Sequence, residues 1–320
     1  MKLSRRDLML FAGGAVLAGA LPAEAAEAGQ RVLRGPAFGA SWTLVAAVPL
    51  DAGAIRSAFA AVIASVDGAM SPFRADSELS RFNRAATTGW QALSAASCAV
   101  AAEGLRVAAL TDGAFNPTLG PLVGRYGFGP IRQGRAGRPS EIEVADGAAR
   151  KARPDLSLDL CGIAKGHALD RMVAVCRARG MTDFVLELGG EVFAIGRHPS
   201  GRRWRIGIER PLPQGGLQRA VALDGMSLAT SGDAVNGYAY GGRRYGHIID
   251  PATGAPARSA LASVTVAAET AMTADALATA LYGMGARRGP EFARRAAIEA
   301  LFVMDDAREV ATAGFQARLL

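Results

Sequence analysis

The sequence predicts an α+β fold, and three observations carry that prediction. Strand candidates FVLEL, WRIGIE, RAVAL, GHIID and SVTVAA follow one another between 184 and 268 with no helical pattern between them, which is not the order of a regular βαβ repeat. Helical spacing brackets this run, with Ile55, Phe59, Val62, Ile63 and Val66 before it and ADALATALYGMG after it. Half of the 320 residues are hydrophobic, enough for a sizeable core, and no repeat, heptad or low-complexity tract points elsewhere.

The first residues stand apart from that fold. MKLSRRDLMLFAGGAVLAGALPAEAAEA has a basic start, a short apolar run and small-residue cleavage sites such as Ala23-Glu24-Ala25. This is a secretory signal, too short and glycine-rich for a stable membrane span. Arg5-Arg6 after Ser4 fits a twin-arginine export address, so residues 1–28 are expected to leave a periplasmic protein. No cysteine lies near the cleavage region, which argues against a lipoprotein.

In the remainder, 33–48 reads as one strand, and Ile55 to Met70 as a helix. A second helix spans 94–111 and stops at TDG, with Pro117 beyond. The Gly-, Arg- and Pro-rich stretch 125–155 reads as a loop. SLDLCGIAKGHALDRMVAVCRARG reads as a short strand, a glycine turn and a helix closed by Gly180. Turns at Gly189-Gly190 and PATG separate the later strands. Thr273 is the expected cap of the next helix, and ALFVMD a final strand. With no composition break, 29–320 is read as one domain.

Charge and cysteine usage exclude some classes. The leader's charges cancel, so the remainder keeps the formal +7. Its arginines are scattered, without the aromatic-interleaved stripe of a nucleic-acid binder, and a basic surface or an anionic ligand is the simpler reading. Cys98, Cys161 and Cys176 have neither zinc nor disulfide-framework spacing. Cys98 and Cys176 fall in helical core patterns.

Three constellations carry chemistry. Asp275 and Thr279 lie one helical turn apart and offer two hard oxygen ligands suited to Mg²⁺ or Ca²⁺. Taken alone, the pair is read first as a helix-terminus carboxylate and a back-bonded hydroxyl. Asp159, Lys165 and Asp170 surround the turn CGIAKG, where Gly162 and Gly166 let backbone approach an anion at a helix start. A surface lysine paired with a carboxylate is the plainer alternative. Lys165 is notable because only Lys2, Lys151 and Lys165 among 36 basic residues are lysine. In YGHIIDPATGAP, His247 suits proton transfer, or a structural hydrogen bond. Neither a P-loop nor a dinucleotide fingerprint nor a nucleophile elbow is present.

In order, MSPFRADSELSRFN, DGAFNPTLGPL, LDLCGIAKGHALD, LELGGEVFAIG, WRIGIERP, LATSGD, GHIIDPATGAP and TADALATALYGMG resemble the ApbE family, FAD:protein FMN transferases, from about Phe38 to Met284. The resemblance implies a single T-fold-related domain of mixed, largely antiparallel sheets flanked by helices. It implies splitting of FAD, release of AMP, and joining of FMN through its phosphate to a threonine or serine of a target protein, with Mg²⁺. Carried over by position, the metal site falls on Asp275, Thr279 and the main-chain carbonyl of Gly162. The flavin-nucleotide positions fall on Phe38, Phe73, Ala114, Phe115, Asn116, Asp159, Lys165 and Ile248, and the base on His247. Phe38 stands where methionine is common, Phe73 where tyrosine is, Asn116 for a frequent aspartate, and Ala234 where tyrosine often follows SGD.

The implied targets are exported or membrane redox subunits: quinone-reductase or Rnf-type subunits, or a flavoprotein of nitrous-oxide reduction. An FAD pyrophosphatase would use the same metal and phosphate site with water as nucleophile. A periplasmic flavin-binding or carrier protein without turnover is the other reading; Asp275, Thr279 and His247 argue against it, since a carrier needs no base. That the chain is itself flavinylated is rejected, because ATTG at 86–89 and ATSG at 229–232 end without the following small residue and hydroxyl.

Overall fold

The computed structural model describes residues 30–48, 51–211, 215–232, 237–241, 243–258 and 260–320. The export leader and Ala234 lie outside the described residues. Strands β1 (Arg31–Ala37) and β2 (Ala40–Ala46) replace the single strand expected over 33–48. Phe38 and Gly39 both take positive φ, 50° and 77°, the backbone of a two-residue hairpin turn that matches strand twist. Helix α1 (Ala52–Met70) starts where Asp51 accepts from the Ala54 N–H at 3.0 Å. It is long and apolar enough to cross a membrane, yet its stripe of Ile55, Phe59, Val62 and Val66 is buried in the core.

Helix α2 (Glu78–Arg84), capped by Ser77, has no counterpart in the sequence expectations; at seven residues it is too short to show a clear period. Strand β3 (Gln91–Ala92), helix α3 (Ala95–Leu110) and helix α4 (Gly120–Arg125) follow. Within the stretch expected as loop, β4 (Ile142–Ala145) and β5 (Ala148–Lys151) form a hairpin that joins β3. Ser157–Leu160, expected as a strand, carries no ladder and leads directly into α5 (Ala164–Arg177). Cys98 and Cys176 are buried on α3 and α5.

Strands β6 (Phe184–Leu188) and β7 (Glu191–Ile195) turn on Gly189-Gly190. Strand β8 (Trp204–Glu209) pairs with β9 (Leu217–Leu223), and β10 (Met226–Gly232) follows. The expected strand GHIID is divided between the hairpin β11 (Gly237–Tyr240)–β12 (Arg243–Gly246) and the short pair β13 (Ile249–Asp250)–β14 (Ala255–Pro256), leaving His247 and Ile248 between them. The chain closes with β15 (Leu261–Ala268), α6 (Ala271–Arg295), β16 (Glu299–Met304), β17 (Glu309–Ala311) and α7 (Ala313–Gln316).

Eight strands make the main sheet in the order β1-β2-β6-β7-β10-β15-β16-β17, antiparallel at every ladder. Alternation along each strand sends residues to two covered faces. Trp42, Leu44, Phe184, Phe193, Val264 and Phe302 join the core that includes buried residues of α1, α5 and α6. Val45, Val185, Val192, Leu301 and Val303 meet Trp204, Ile206, Val221 and Leu223 of the β8–β9 pair and Phe315 of α7. Each such side chain contributes about 1.5–3 kcal/mol by leaving water.

The cap of α6 differs from expectation. Thr270, in extended conformation, accepts the Thr273 N–H at 3.2 Å, so Thr273 lies inside the first turn. Asp170 of α5 adds a second cap, accepting from Ala271 N–H at 2.7 Å and Met272 N–H at 2.9 Å. Three first-turn donors of one helix are thereby satisfied from two places. The helix is interrupted at Gly285 (φ 77°, ψ −178°), beyond the residues that face the site.

Candidate functional site

The N-terminal turns of α5 and α6 approach at Gly166, where a side-chain carbon would lie 2.3 Å from the Ala271 carbonyl oxygen. Only a bare backbone fits. That proximity lets the Gly166 N–H donate to Asp275 Oδ2 at 3.2 Å. Asp275 is buried, and burial pushes its pKa up; the neighbouring Glu191 charge pushes the same way, against Lys165 and the Gly166 N–H.

One turn on, Thr279 Oγ1 lies 3.3 Å from the position a side chain on Gly162 would take and 3.4 Å from Ser231 Oγ of β10. Gly162, Asp275 and Thr279 therefore meet on one flank of α6. A buried carboxylate whose charge is disfavoured, one turn from a hydroxyl that faces the Gly162 backbone, offers oxygen ligands of the kind a hard divalent cation takes. Among the described residues no group of three His, Cys, Asp or Glu forms a metal cluster, so ligand or water oxygens would have to complete the shell.

A further turn along, a side-chain carbon on Gly283 would lie 3.6 Å from the Ala114 carbonyl oxygen and 3.9 Å from Ile248 Cγ2. Ala114 and Ile248 thus flank the same helix as the Asp275–Thr279 pair. Phe115 is buried against Gly104 and Gly162; its ring belongs to the core, and its N–H donates to Thr111 Oγ1 at 3.1 Å. Asp159 Oδ1 accepts the Cys161 N–H at 3.0 Å and closes the turn into α5. The Asn116 acceptor is engaged internally, by the Thr118 N–H at 2.9 Å and hydroxyl at 2.8 Å, while its amide donates to the Gly137 carbonyl at 3.1 Å. It organises the loop and does not present a free oxygen.

Lys165 reaches the end of the β6–β7 hairpin, where Nζ donates to Glu191 Oε1 at 2.7 Å and to the Gly189 carbonyl at 3.2 Å. Burial pulls the ammonium pKa down, but Glu191, Asp275 and Glu187 outweigh it and carry the value to about 12. Glu187 is itself pushed up to about 7, by burial first and by Glu191 repulsion. Sequence reasoning misses Glu191, although a carboxylate straight after a double glycine in an apolar strand is an available signal.

Phe38, Phe73 and His247 come from three separate segments. Phe38 occupies the β1–β2 turn, and Ala40 and Ser41, at the start of β2, touch Gly189. Phe73 follows α1 and is 65 % exposed, an open aromatic face. His247 precedes Ile248, with its ring edge-on to Phe128 at 6.3 Å between centroids. Asp170, grouped with Lys165 from sequence, instead caps α6.

The ApbE family profile matches residues 38–302. A Vibrio cholerae protein named FAD:protein FMN transferase is 35% identical over 283 residues, covering 83% of this chain and 85% of that protein. A Salmonella typhimurium protein of the same name is 31% identical over 297 residues, covering 86% and 85%. Among solved structures, the flavin transferase ApbE from Vibrio cholerae superposes with a TM-score of 0.83 at 32% identity, covering 91% of this chain and 99% of that one. Apo flavinyl transferase ApbE from Pseudomonas stutzeri gives 0.80 at 32% identity, covering 90% and 96%. The match of chain, antiparallel fold and length makes this protein a member of the ApbE family.

Proposed function

We propose that the protein is an FAD:protein FMN transferase acting with Mg²⁺ on an exported or membrane-bound redox protein. The observation that carries this reading is the meeting of Asp275 and Thr279 of α6 with Gly162, of the turn before α5, beside Lys165. A phosphoryl transfer needs charge neutralisation and positioning more than covalent chemistry. Bound Mg²⁺ would neutralise phosphate oxygens, held by Asp275, Thr279 and the Gly162 carbonyl. Lys165 supplies a fixed positive charge for the pyrophosphate, and Phe38 and Phe73 supply aromatic surface for the flavin. Ala114, Phe115, Asp159 and Ile248 shape the nucleotide pocket, with Asn116 bracing its loop.

In the step itself, the acceptor hydroxyl oxygen bonds to the FMN phosphorus and the phosphorus–oxygen bond to AMP breaks. His247 takes the hydroxyl proton, and AMP leaves with the bridging oxygen. Residues 1–28 support an exported, periplasmic setting and 29–320 one catalytic domain. Candidate acceptors are quinone-reductase or Rnf-type subunits and a flavoprotein of nitrous-oxide reduction.

Mature protein incubated with FAD, Mg²⁺ and an acceptor domain is expected to give an FMN-sized mass increase on the acceptor. FMN and AMP without an adduct would favour the pyrophosphatase, and unchanged FAD would leave a binding protein.

A further inference from the structure

Glu191 begins β7, and its side chain is 3% exposed. One oxygen, Oε1, accepts from Lys165, while the buried Oε2 has no hydrogen-bond partner among the described residues. A buried carboxylate with an unsatisfied oxygen is a poor way to hold a sheet together, since an apolar pair of similar volume often does as well or better. Such an exception in a native interior calls for a local reason.

The reason lies in what Glu191 holds. An ammonium has three N–H donors; Lys165 gives one to Glu191 and one to the Gly189 carbonyl. Gly189 and Gly190, with φ of 54° and 105°, turn the hairpin so tightly that this carbonyl and the Glu191 carboxylate both face the same ammonium. The lysine side chain is 38% exposed, and its third donor has no partner among the described residues. Fixing a flexible four-carbon side chain before binding removes an entropy loss otherwise incurred on binding.

We propose that Glu191 is a positioning residue of the nucleotide site, holding the Lys165 ammonium against the end of the β6–β7 hairpin so that its remaining N–H meets the phosphates of the flavin nucleotide. This rests on the transferase reading proposed above. It assigns a role to a residue outside the set carried by the family resemblance, and the role acts through Lys165 rather than on the substrate.

With only three lysines in the whole chain, ¹³Cε-lysine labelling tests the pair directly. The Lys165 signal, identified by its loss in Lys165→Met, is expected to move in ligand-free Glu191→Gln while that of Lys151 stays. FAD affinity in Mg²⁺, read from flavin fluorescence, is expected to fall about tenfold in Glu191→Gln and to fall no further when Glu191→Gln is added to Lys165→Met. An unmoved signal, equal weakening in both backgrounds, or a lower melting temperature with FAD affinity intact would each overturn the proposal alone. Wild-type protein that forms no FAD complex would overturn the underlying reading as well.

Discussion

Gly166 and Asp275, 109 positions apart, are joined by one hydrogen bond of 3.2 Å from backbone N–H to carboxylate. The bond exists because α5 comes so close to the start of α6 that a methyl group would collide with the Ala271 carbonyl. Gly166→Ala is therefore expected to force the helices apart, lowering stability by roughly 2–4 kcal/mol. Transferase activity should fall with it. A urea titration and the acceptor mass assay measure the two effects; unchanged values in both would contradict the packing argument.

Asp170 tests the same junction from the other side. Its two oxygens hold the first two N–H groups of α6, and Asp170→Ala should cost about 1–3 kcal/mol through loss of a half-buried cap. Asp170→Asn, which retains one acceptor, should lose less. Thermal melts of the two variants give the ranking.

Asp275 separates activity from stability. Its carboxylate is buried and disfavoured as an anion, so Asp275→Asn should leave the fold as stable as wild type or slightly more so. Adduct formation should nevertheless drop by about 100-fold or more, the order of effect seen when a principal source of transition-state charge stabilisation is removed. Chelation of divalent cations should reduce wild-type activity similarly, with recovery on adding Mg²⁺. Persistence of full activity in the variant would remove Asp275 from the mechanism.

Two titrations predict opposite pH slopes. Burial, helped by Arg171, lowers the His167 pKa to about 4 from 6.5. The unfolded chain then binds more protons between these values, so this contribution is lost as pH falls from about 6.5 toward 4. Glu187 is raised to about 7 from 4.5, and its contribution is lost as pH rises from about 4.5 through 7. His167→Gln should flatten the acid side of a plot of urea midpoint against pH, and Glu187→Gln the neutral side. Identical profiles for wild type and both variants would refute these assignments.

Lys151 is fully buried, and its ammonium donates to the carbonyls of Asn83, Ala85 and Pro154 at 3.3, 2.8 and 3.0 Å. Lys151→Met fills similar volume but leaves those acceptors without their shared donor. The expected loss is about 2–4 kcal/mol, measured by denaturant unfolding. Activity per folded molecule should remain near wild type, because these contacts lie outside the proposed nucleotide cluster.

Elements with a long period are legible in advance. The apolar spacing of α1, the stop of α3 at Thr111 and the strands β6, β8 and β15 follow local rules of burial and capping. The order of motifs likewise brings Asp275, Thr279, Gly162 and Lys165 forward as candidates. Short elements are not legible: α2 spans under two turns, and the β4–β5 hairpin is hidden in a Gly- and Arg-rich stretch. The turn at Phe38 escapes sequence reasoning because an aromatic residue there occupies a conformation usually left to glycine or asparagine.

Local chemistry thus decided which residues can ligate, donate or cap, since those capacities belong to side chains wherever they stand. It did not decide their partners. Asp170 serves α6 rather than Lys165, Asn116 spends its acceptor on Thr118, and Glu191 emerges beside Lys165. These outcomes depend on how closely separate elements approach, and that distance is set by the sheet order and by the bare backbone at Gly166. Electrostatic interactions and hydrogen bonds act over ångströms in space, a quantity on which separation along the chain places almost no bound.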